Sequence, residues 1–238
     1  MAEARPFLTV VMPAYNEEAN LDRSAEMVLA KLAELGVEAE LLIVDDASRD
    51  RTGAIADALA IQHSRVRVFH LPDNRNIGGG FVAGVAEARG EWLILIPADL
   101  ALELDDLRKY LAAASEAVVV VGVCSDRGDH SFFRGLISWA NIRAIQLLFG
   151  MKQRQFNYIS LYRLDVLKRI HIEYWRSAFF YAEILIKAKG VGCRLIEVEI
   201  RYAPRTIGHA SGAKWKFIAR TARDMLHFWW RLKTGNPI

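Results

Sequence analysis

Through the first half of the chain, short continuously apolar runs alternate with segments in which apolar residues recur every three to four positions. That alternation predicts strands over residues 8–12, 39–45, 66–71, 92–97 and 117–123, and helices over 17–35, 50–63, 79–89 and 105–115. Strands that are apolar throughout are buried on both faces, and connections of ten or more residues suit parallel crossovers. The expected fold class is α/β, a mostly parallel, doubly wound sheet whose ligands gather at the carboxyl ends of its strands. After Cys124 the pattern changes. A polar loop leads to a helix from Phe132 to Phe149, a strand at 158–163 and a helix at 178–189, then to a strand at 194–202, a loop at 203–213 and a long helix from Lys214 to Leu232. No repeat, low-complexity tract or linker divides the chain, so a single domain over 1–238 is expected.

Composition narrows the class. A chain that is 53% hydrophobic and 25% charged is neither disordered, collagen-like nor a disulfide-stapled miniprotein. Cys124 and Cys193 lie far apart in apolar stretches without a CxxC, and read as buried reduced thiols of a cytosolic protein. Residues 1–6 lack the features of a signal peptide, and no apolar run approaches the ~20 residues that span a bilayer. The formal net charge of +3 conceals an asymmetry. Residues 201–238 hold eight Lys/Arg against the single acid Asp224, a net of +7, whereas the first 200 residues net −4. A basic end on an acidic-leaning body points to an anionic partner there.

Polar clusters sit where strands hand over to helices. The first strand ends in Val11-Met12-Pro13-Ala14-Tyr15-Asn16-Glu17-Glu18, and the second in Ile43-Val44-Asp45-Asp46-Ala47-Ser48. Each alone is explained as well by turn and cap chemistry as by ligand binding. Together with Asn76-Ile77-Gly78-Gly79-Gly80, Pro97-Ala98-Asp99-Leu100 and Tyr202-Ala203-Pro204-Arg205, they resemble the motifs of family 2 glycosyltransferases with the GT-A fold. Arg134 to Ser138 ahead of a helix, and Gly208 and Ser211 beyond Arg205, are similar to the branch that contains dolichyl-phosphate mannose synthases and related polyprenyl-phosphate glycosyltransferases. The glycines also read as Gly78-x-Gly80-x-x-x-Gly84, superficially a dinucleotide fingerprint. They follow the third strand rather than the first, so a turn with glycines at positive φ is the better account.

The resemblance implies an inverting transfer of a hexose from a GDP- or UDP-linked sugar to a polyprenyl phosphate. It makes 1–123 the nucleotide-sugar half and 124–238 the acceptor and membrane-interface half. Pro13, Tyr15 and Glu17 would frame the nucleotide, Val44 and Asp46 would meet base or ribose, and Ala98 and Asp99 would face the diphosphate. Carboxylates suit ribose hydroxyls and base N–H groups because they only accept, and Tyr15 offers a stacking face. Arg127 and Arg205 would bind the donor, Arg134 and Ser138 the acceptor phosphate, and Asp99, Arg134 and Arg205 would carry catalysis. Lys214 and Lys216 read better as solvated cations. Nucleic acid is not an expected partner; a membrane-protein subunit is one that the resemblance allows.

The sequence departs from the family where metal is held. Pro97 replaces the first Asp of the Asp-x-Asp motif and Ala101 stands where a Gln ligand is common, leaving Asp99 as a weak site for Mg²⁺ or Mn²⁺. Guanidinium groups provide another way to hold a departing diphosphate. An anionic phosphate acceptor needs no strong general base. Glu183, on an otherwise apolar helix, reads equally as a structural hydrogen-bond acceptor and as a catalytic group.

The last helix divides into two stripes. Trp215, Ile218, Ala222, Met225 and Trp229 form one, and Lys216, Arg220, Arg223, His227 and Arg231 the other. That pattern fits a helix lying on an anionic membrane, and its apolar stripe alone fits packing on the sheet. With Phe132 to Phe149 it forms the expected membrane-facing side, on the cytoplasmic face of a membrane. Three readings stay open: a polyprenyl-phosphate glycosyltransferase, a soluble glycosyltransferase with a non-lipid acceptor, and a nucleotide-sugar-binding relative without activity.

Overall fold

The computed structural model describes residues 5–100, 102–124, 132–157, 159–201 and 215–235, with 132–134 described by their backbone. The predicted alternation holds through the first half. Strands β1 (Leu8–Ala14), β2 (Ala39–Asp45), β3 (Val66–His70), β4 (Trp92–Leu95) and β5 (Val119–Cys124) are separated by α1 (Leu21–Glu34), α2 (Thr52–Gln62), α3 (Asn76–Glu87) and α4 (Leu107–Ala113). There follow α5 (Phe132–Phe149), β6 (Ser160–Arg163), a single turn α6 (Leu164–Leu167), α7 (Phe179–Gly190), β7 (Leu195–Ile200) and α8 (Trp215–Lys233).

The seven strands form one sheet in the order β3-β2-β1-β4-β6-β5-β7. All neighbours are parallel except at β6, which runs antiparallel to both β4 and β5. Side chains alternate across the sheet, so β1 feeds two cores. Leu8, Val10 and Met12 pack with α1, α2 and α4, while Val11 packs with Leu42, Val44, Phe81 and α7 on the other side. This is the doubly wound arrangement expected from strands apolar on both faces.

Several boundaries shift for local reasons. α1 begins at Leu21 rather than at residue 17, because Thr52 Oγ1 and Asp50 Oδ2 accept the N–H groups of Glu17 and Glu18 in a loop. The glycines 78–80 lie inside α3, and the positive φ falls instead on Asn76. Cys124 is buried and Cys193 only half-buried, so the expectation of two buried thiols holds for the first. The stripe on α8 is rotated from the expected one. Asp224, Met225 and Phe228 are buried, whereas Trp215 and Ala222 are exposed, because α8 meets α5 and α7 along the line through Met225 and Phe228. No helix among the described residues is long and apolar enough to cross a membrane.

Candidate active site

The parallel register brings the polar loops together. Pro13 lies opposite Val44 and Ala14 opposite Asp45, while the Ile96 N–H donates to the Val11 carbonyl and the Asp46 N–H to the Ala14 carbonyl. The carboxyl ends of β1, β2 and β4 are thus adjacent, the position at which open α/β sheets bind ligands. The loops are cross-tied: the Asn16 N–H donates to Ser48 Oγ, and Asn16 Oδ1 accepts from the Arg49 N–H. Tyr15 projects outward, with 41% of its surface exposed. Glu17 is half-buried and its carboxylate accepts from Asn20 Nδ2 at 2.8 Å. The Val44 side chain is buried in the core beneath the mouth.

Backbone strain collects here. Among the described residues, the non-glycine positions with positive φ are Asn16, Ala47, Asn76 and Leu100; Asn16, Ala47 and Leu100 lie in the loops that follow β1, β2 and β4, and Asn76 is the first residue of α3, which follows β3. Asparagine tolerates this region, but alanine and leucine pay for it, and such residues persist where the surroundings over-determine them. No sequence signal marks Ala47 or Leu100.

Asp46 is buried, and its carboxylate accepts the Arg75 N–H at 2.6 Å at the start of α3. Burial pushes this carboxyl up, against the pull of the Arg75 and Asn76 N–H groups; Asp45 and Asp73 add to the rise. The residue expected to meet base or ribose therefore also anchors α3. Beneath it, a Cβ added to Gly78 would stand 2.0 Å from the Trp175 carbonyl oxygen, and one on Gly80 3.2 Å from Pro13 Cβ. The glycines give α3 its close approach to β1 and to the segment before α7, which sequence reasoning missed.

Asp99 lies half-buried in a turn closed by the Leu100 N–H donating to the Pro97 carbonyl. Ser24 Oγ on α1 donates to the Ala98 carbonyl at 2.6 Å, fixing the turn against the sheet. Behind it, burial pushes the Tyr162 hydroxyl up to about 12, and burial with Tyr162 and Asp99 nearby raises Tyr181 further still. Tyr181 is a site neighbour that its apolar context in sequence concealed. A cavity of about 490 Å³ opens beside this turn, lined by Arg23, Ser24, Met27, Lys31, Ala98 and Asp99. It flanks the mouth rather than filling it, since Tyr15, Glu17 and Asp46 are not among its walls.

Asp99 is a lone carboxylate between Pro97 and Leu100, and no three His, Cys, Asp or Glu among the described residues converge as a metal site. This donor set does not make a metal centre of its own; an ion here would need phosphate oxygens as most of its ligands. Glu183 is wholly buried. Its two oxygens accept the Glu173 and Tyr174 N–H groups at 2.9 Å, and Lys187 Nζ lies 2.9 Å away. That network gives it a structural role, as the acceptor that holds the segment before α7. Ser138 lies half-buried on α5, the Arg134 backbone lies in the first turn of that helix, and Arg134's side chain lies outside the described residues. Ala101, Arg127, Arg205 and Lys214 also lie outside them.

Comparison with known proteins places this geometry. The chain is 30% identical over 223 residues to the undecaprenyl-phosphate 4-deoxy-4-formamido-L-arabinose transferase of Edwardsiella ictaluri, covering 89% of this chain and 65% of that protein. It thus spans less than two thirds of that relative's length. It is 28% identical over 210 residues to the undecaprenyl-phosphate mannosyltransferase of Micrococcus luteus, covering 84% and 85% respectively. Among solved structures, glucosyl-3-phosphoglycerate synthase from Mycobacterium tuberculosis matches with a TM-score of 0.72 at 16% identity, over 95% of this chain and 81% of that one. S. aureus TarS, in complex with UDP-GlcNAc, matches with a TM-score of 0.64 at 18% identity, over 88% and 61%. The synthase has also been solved with UDP and Mg²⁺ or Mn²⁺. These likenesses carry the fold, which is GT-A. The glycosyl transferase family 2 model matches residues 9–184, and the chain belongs to that family.

Proposed function

We propose that the protein is an inverting glycosyltransferase that moves a hexose from a GDP- or UDP-linked sugar to a polyprenyl phosphate, at the cytoplasmic face of a membrane. The observation that carries this reading is the convergence of the Tyr15, Asp46 and Asp99 loops at the carboxyl edge of the sheet, with their strained backbone positions. The relatives named above as undecaprenyl-phosphate transferases support the acceptor. In this reading one domain divides at residue 123, with the donor held before it and the acceptor after it.

Pro13, Tyr15 and Glu17 frame the nucleotide, Asp46 and the backbone at Val44 meet base or ribose, and Ala98 and Asp99 face the diphosphate. Arg134 and Ser138 hold the acceptor phosphate. One of its oxygens attacks the anomeric carbon as the bond to the donor diphosphate breaks, so configuration inverts and the nucleoside diphosphate leaves with the electron pair. The attacking oxygen is already anionic at neutral pH, so no side chain need remove a proton. Arg127, Arg134 and Arg205 meet the charge that builds on the leaving group. Should Mg²⁺ or Mn²⁺ arrive with the diphosphate, Asp99 would be the carboxylate in this turn to hold it, and the ion would neutralise charge on the leaving group. Exposed Leu136 and Trp139 on α5, with Trp215 and Trp230 on α8, give the acceptor half a membrane-seeking surface.

The test is transfer by purified protein from a panel of UDP- and GDP-sugars to a polyprenyl phosphate, with Mg²⁺, Mn²⁺ or EDTA. Radiolabelled glycolipid is the expected product. Turnover of a water-soluble acceptor without lipid would favour a soluble transferase, and nucleotide binding without transfer to any acceptor would leave a binding protein that Pro97 and Ala101 have disabled.

A further inference from the structure

A second cleft, of about 510 Å³, lies between the segment before α7 and the middle of α8. Its walls are Glu173, Tyr174, Arg176, Arg220, Arg223, Asp224 and His227. The acids are engaged. Glu173 pairs with Lys187 Nζ at 3.0 Å and with Arg231, and Asp224 with Arg223 at 3.1 Å. His227 Nδ1 shares a hydrogen bond of 2.8 Å with the Tyr174 hydroxyl, which fixes the floor. Arg176 and Arg220 are left as the excess charge. Among the described residues neither makes an ion pair, and Arg176 instead lies with its guanidinium 4.4 Å over the Trp175 ring. Stacking occupies the face of a guanidinium and leaves the N–H groups at its edge able to grip an anion.

The surroundings indicate what kind of anion. Leu226 and Trp230 follow Arg223 by three and seven residues, on the same side of α8, and are 53% and 61% exposed. A cationic cleft rimmed by exposed apolar and aromatic side chains is placed for a group at the boundary between water and hydrocarbon.

We propose that this cleft binds the phosphate headgroup of an anionic phospholipid, at a site separate from the acceptor phosphate, with Arg176 and Arg220 as its principal donors. The idea rests on the membrane side of the reading above. Phosphate fits the donors because the planar guanidinium offers paired N–H groups to paired phosphate oxygens.

The test is calorimetry of the full chain with monomeric dihexanoyl phosphatidylglycerol, dihexanoyl phosphatidylcholine and inorganic phosphate, each as its own titrant. Saturable one-site binding of the anionic lipid is expected, weakened by about tenfold or more in the double variant Arg176→Gln, Arg220→Gln. The pair Arg143→Gln, Lys233→Gln removes equal charge elsewhere on α5 and α8 and should retain the site. Absence of saturable binding, equal loss in both pairs, or inorganic phosphate binding as tightly as the lipid would each overturn the proposal. If the double variant melts early, the single Arg220→Gln carries the same test with an expected loss of about threefold. Monomeric lipid reads the cleft whether or not sugar is transferred, so failure here and failure of the transfer assay are separable.

Discussion

The Asp46 carboxylate accepts the backbone N–H of Arg75 across 29 residues of sequence, tying the loop after β2 to the first turn of α3. A buried acceptor at a helix start satisfies donors that have no intrahelical partner and complements the positive end of the helix. Asp46 is thereby oriented before any ligand arrives, and the loop that carries it is held through α3.

Two substitutions should separate the anchoring role of Asp46 from its binding role. Asp46→Ala leaves the Arg75 and Asn76 N–H groups without their acceptor, at a cost of about 2 kcal/mol. In a chain of this length that lowers Tm by roughly 4–8 °C. Asp46→Asn retains an acceptor oxygen and should stay within about 2 °C of the parent. If Asp46 also meets the ribose or base, both variants weaken UDP or GDP binding about tenfold in calorimetry. Unchanged nucleotide affinity in Asp46→Asn would confine the residue to anchoring α3.

The contact between α3 and the segment before α7 makes a second prediction. In Gly78→Ala the new methyl must displace the Trp175 carbonyl, which is backbone and cannot swing aside. The expected cost is about 3 kcal/mol, by analogy with overpacked cores. Gly135 is the control, since a Cβ there meets nothing within 4 Å and the residue lies inside α5. Gly135→Ala should stabilise by roughly 0.5–1 kcal/mol, because alanine loses less entropy in a helix. Urea unfolding of both variants checks the pair.

Much of this architecture was legible in the residues, because a strand buried on both faces has to be apolar throughout. β1, β2, β4 and β5 announce themselves that way, and the loops at their carboxyl ends follow from the register. What stayed hidden depends on partners distant in sequence. The strand at β6 was expected, yet nothing within Ser160–Arg163 reveals that it inserts antiparallel between β4 and β5. The Asp46 to Arg75 bond and the fit of Gly78 beneath Trp175 are likewise properties of pairs. On α8 the amphipathic period was visible, but its buried line was misplaced because Asp224 is tolerated inside once Arg223 pairs with it.

Glu183 is held by a pairing of the same kind. Its carboxylate is wholly buried, holds two backbone N–H groups and faces Lys187, itself nearly buried. Glu183→Ala removes one partner from a buried charge pair and orphans two donors, which should cost about 3–5 kcal/mol. Thermal melts should fall by roughly 6–20 °C at the scale usual for this size. At a temperature where the variant remains folded, kcat should stay within about threefold of the parent, a barrier change of under 1 kcal/mol. A loss of a thousandfold or more in a folded variant would restore Glu183 to the chemistry.

The last prediction concerns pH and the outer edge of the sheet. His70 on β3 bonds the buried Asp45 carboxylate through Nδ1 at 2.9 Å and Asp57 through Nε2 at 3.1 Å. The Asp45 hydrogen bond, aided by Asp57 and opposed by partial burial, raises the imidazole above its usual 6.5. A group whose folded pKa is raised contributes stability that is complete below the unfolded value and is lost as pH climbs through the folded one. The protein should therefore melt at a higher temperature at pH 6 than at pH 8, with the change centred above 6.5. His70→Gln keeps a hydrogen-bonding side chain but cannot titrate, so this part of the slope should vanish. Because the ring is nearly half exposed, the effect should also shrink in 0.5 M salt. A variant whose pH profile of Tm overlays that of the parent would show that the Asp45 and Asp57 contacts do not stabilise the imidazolium.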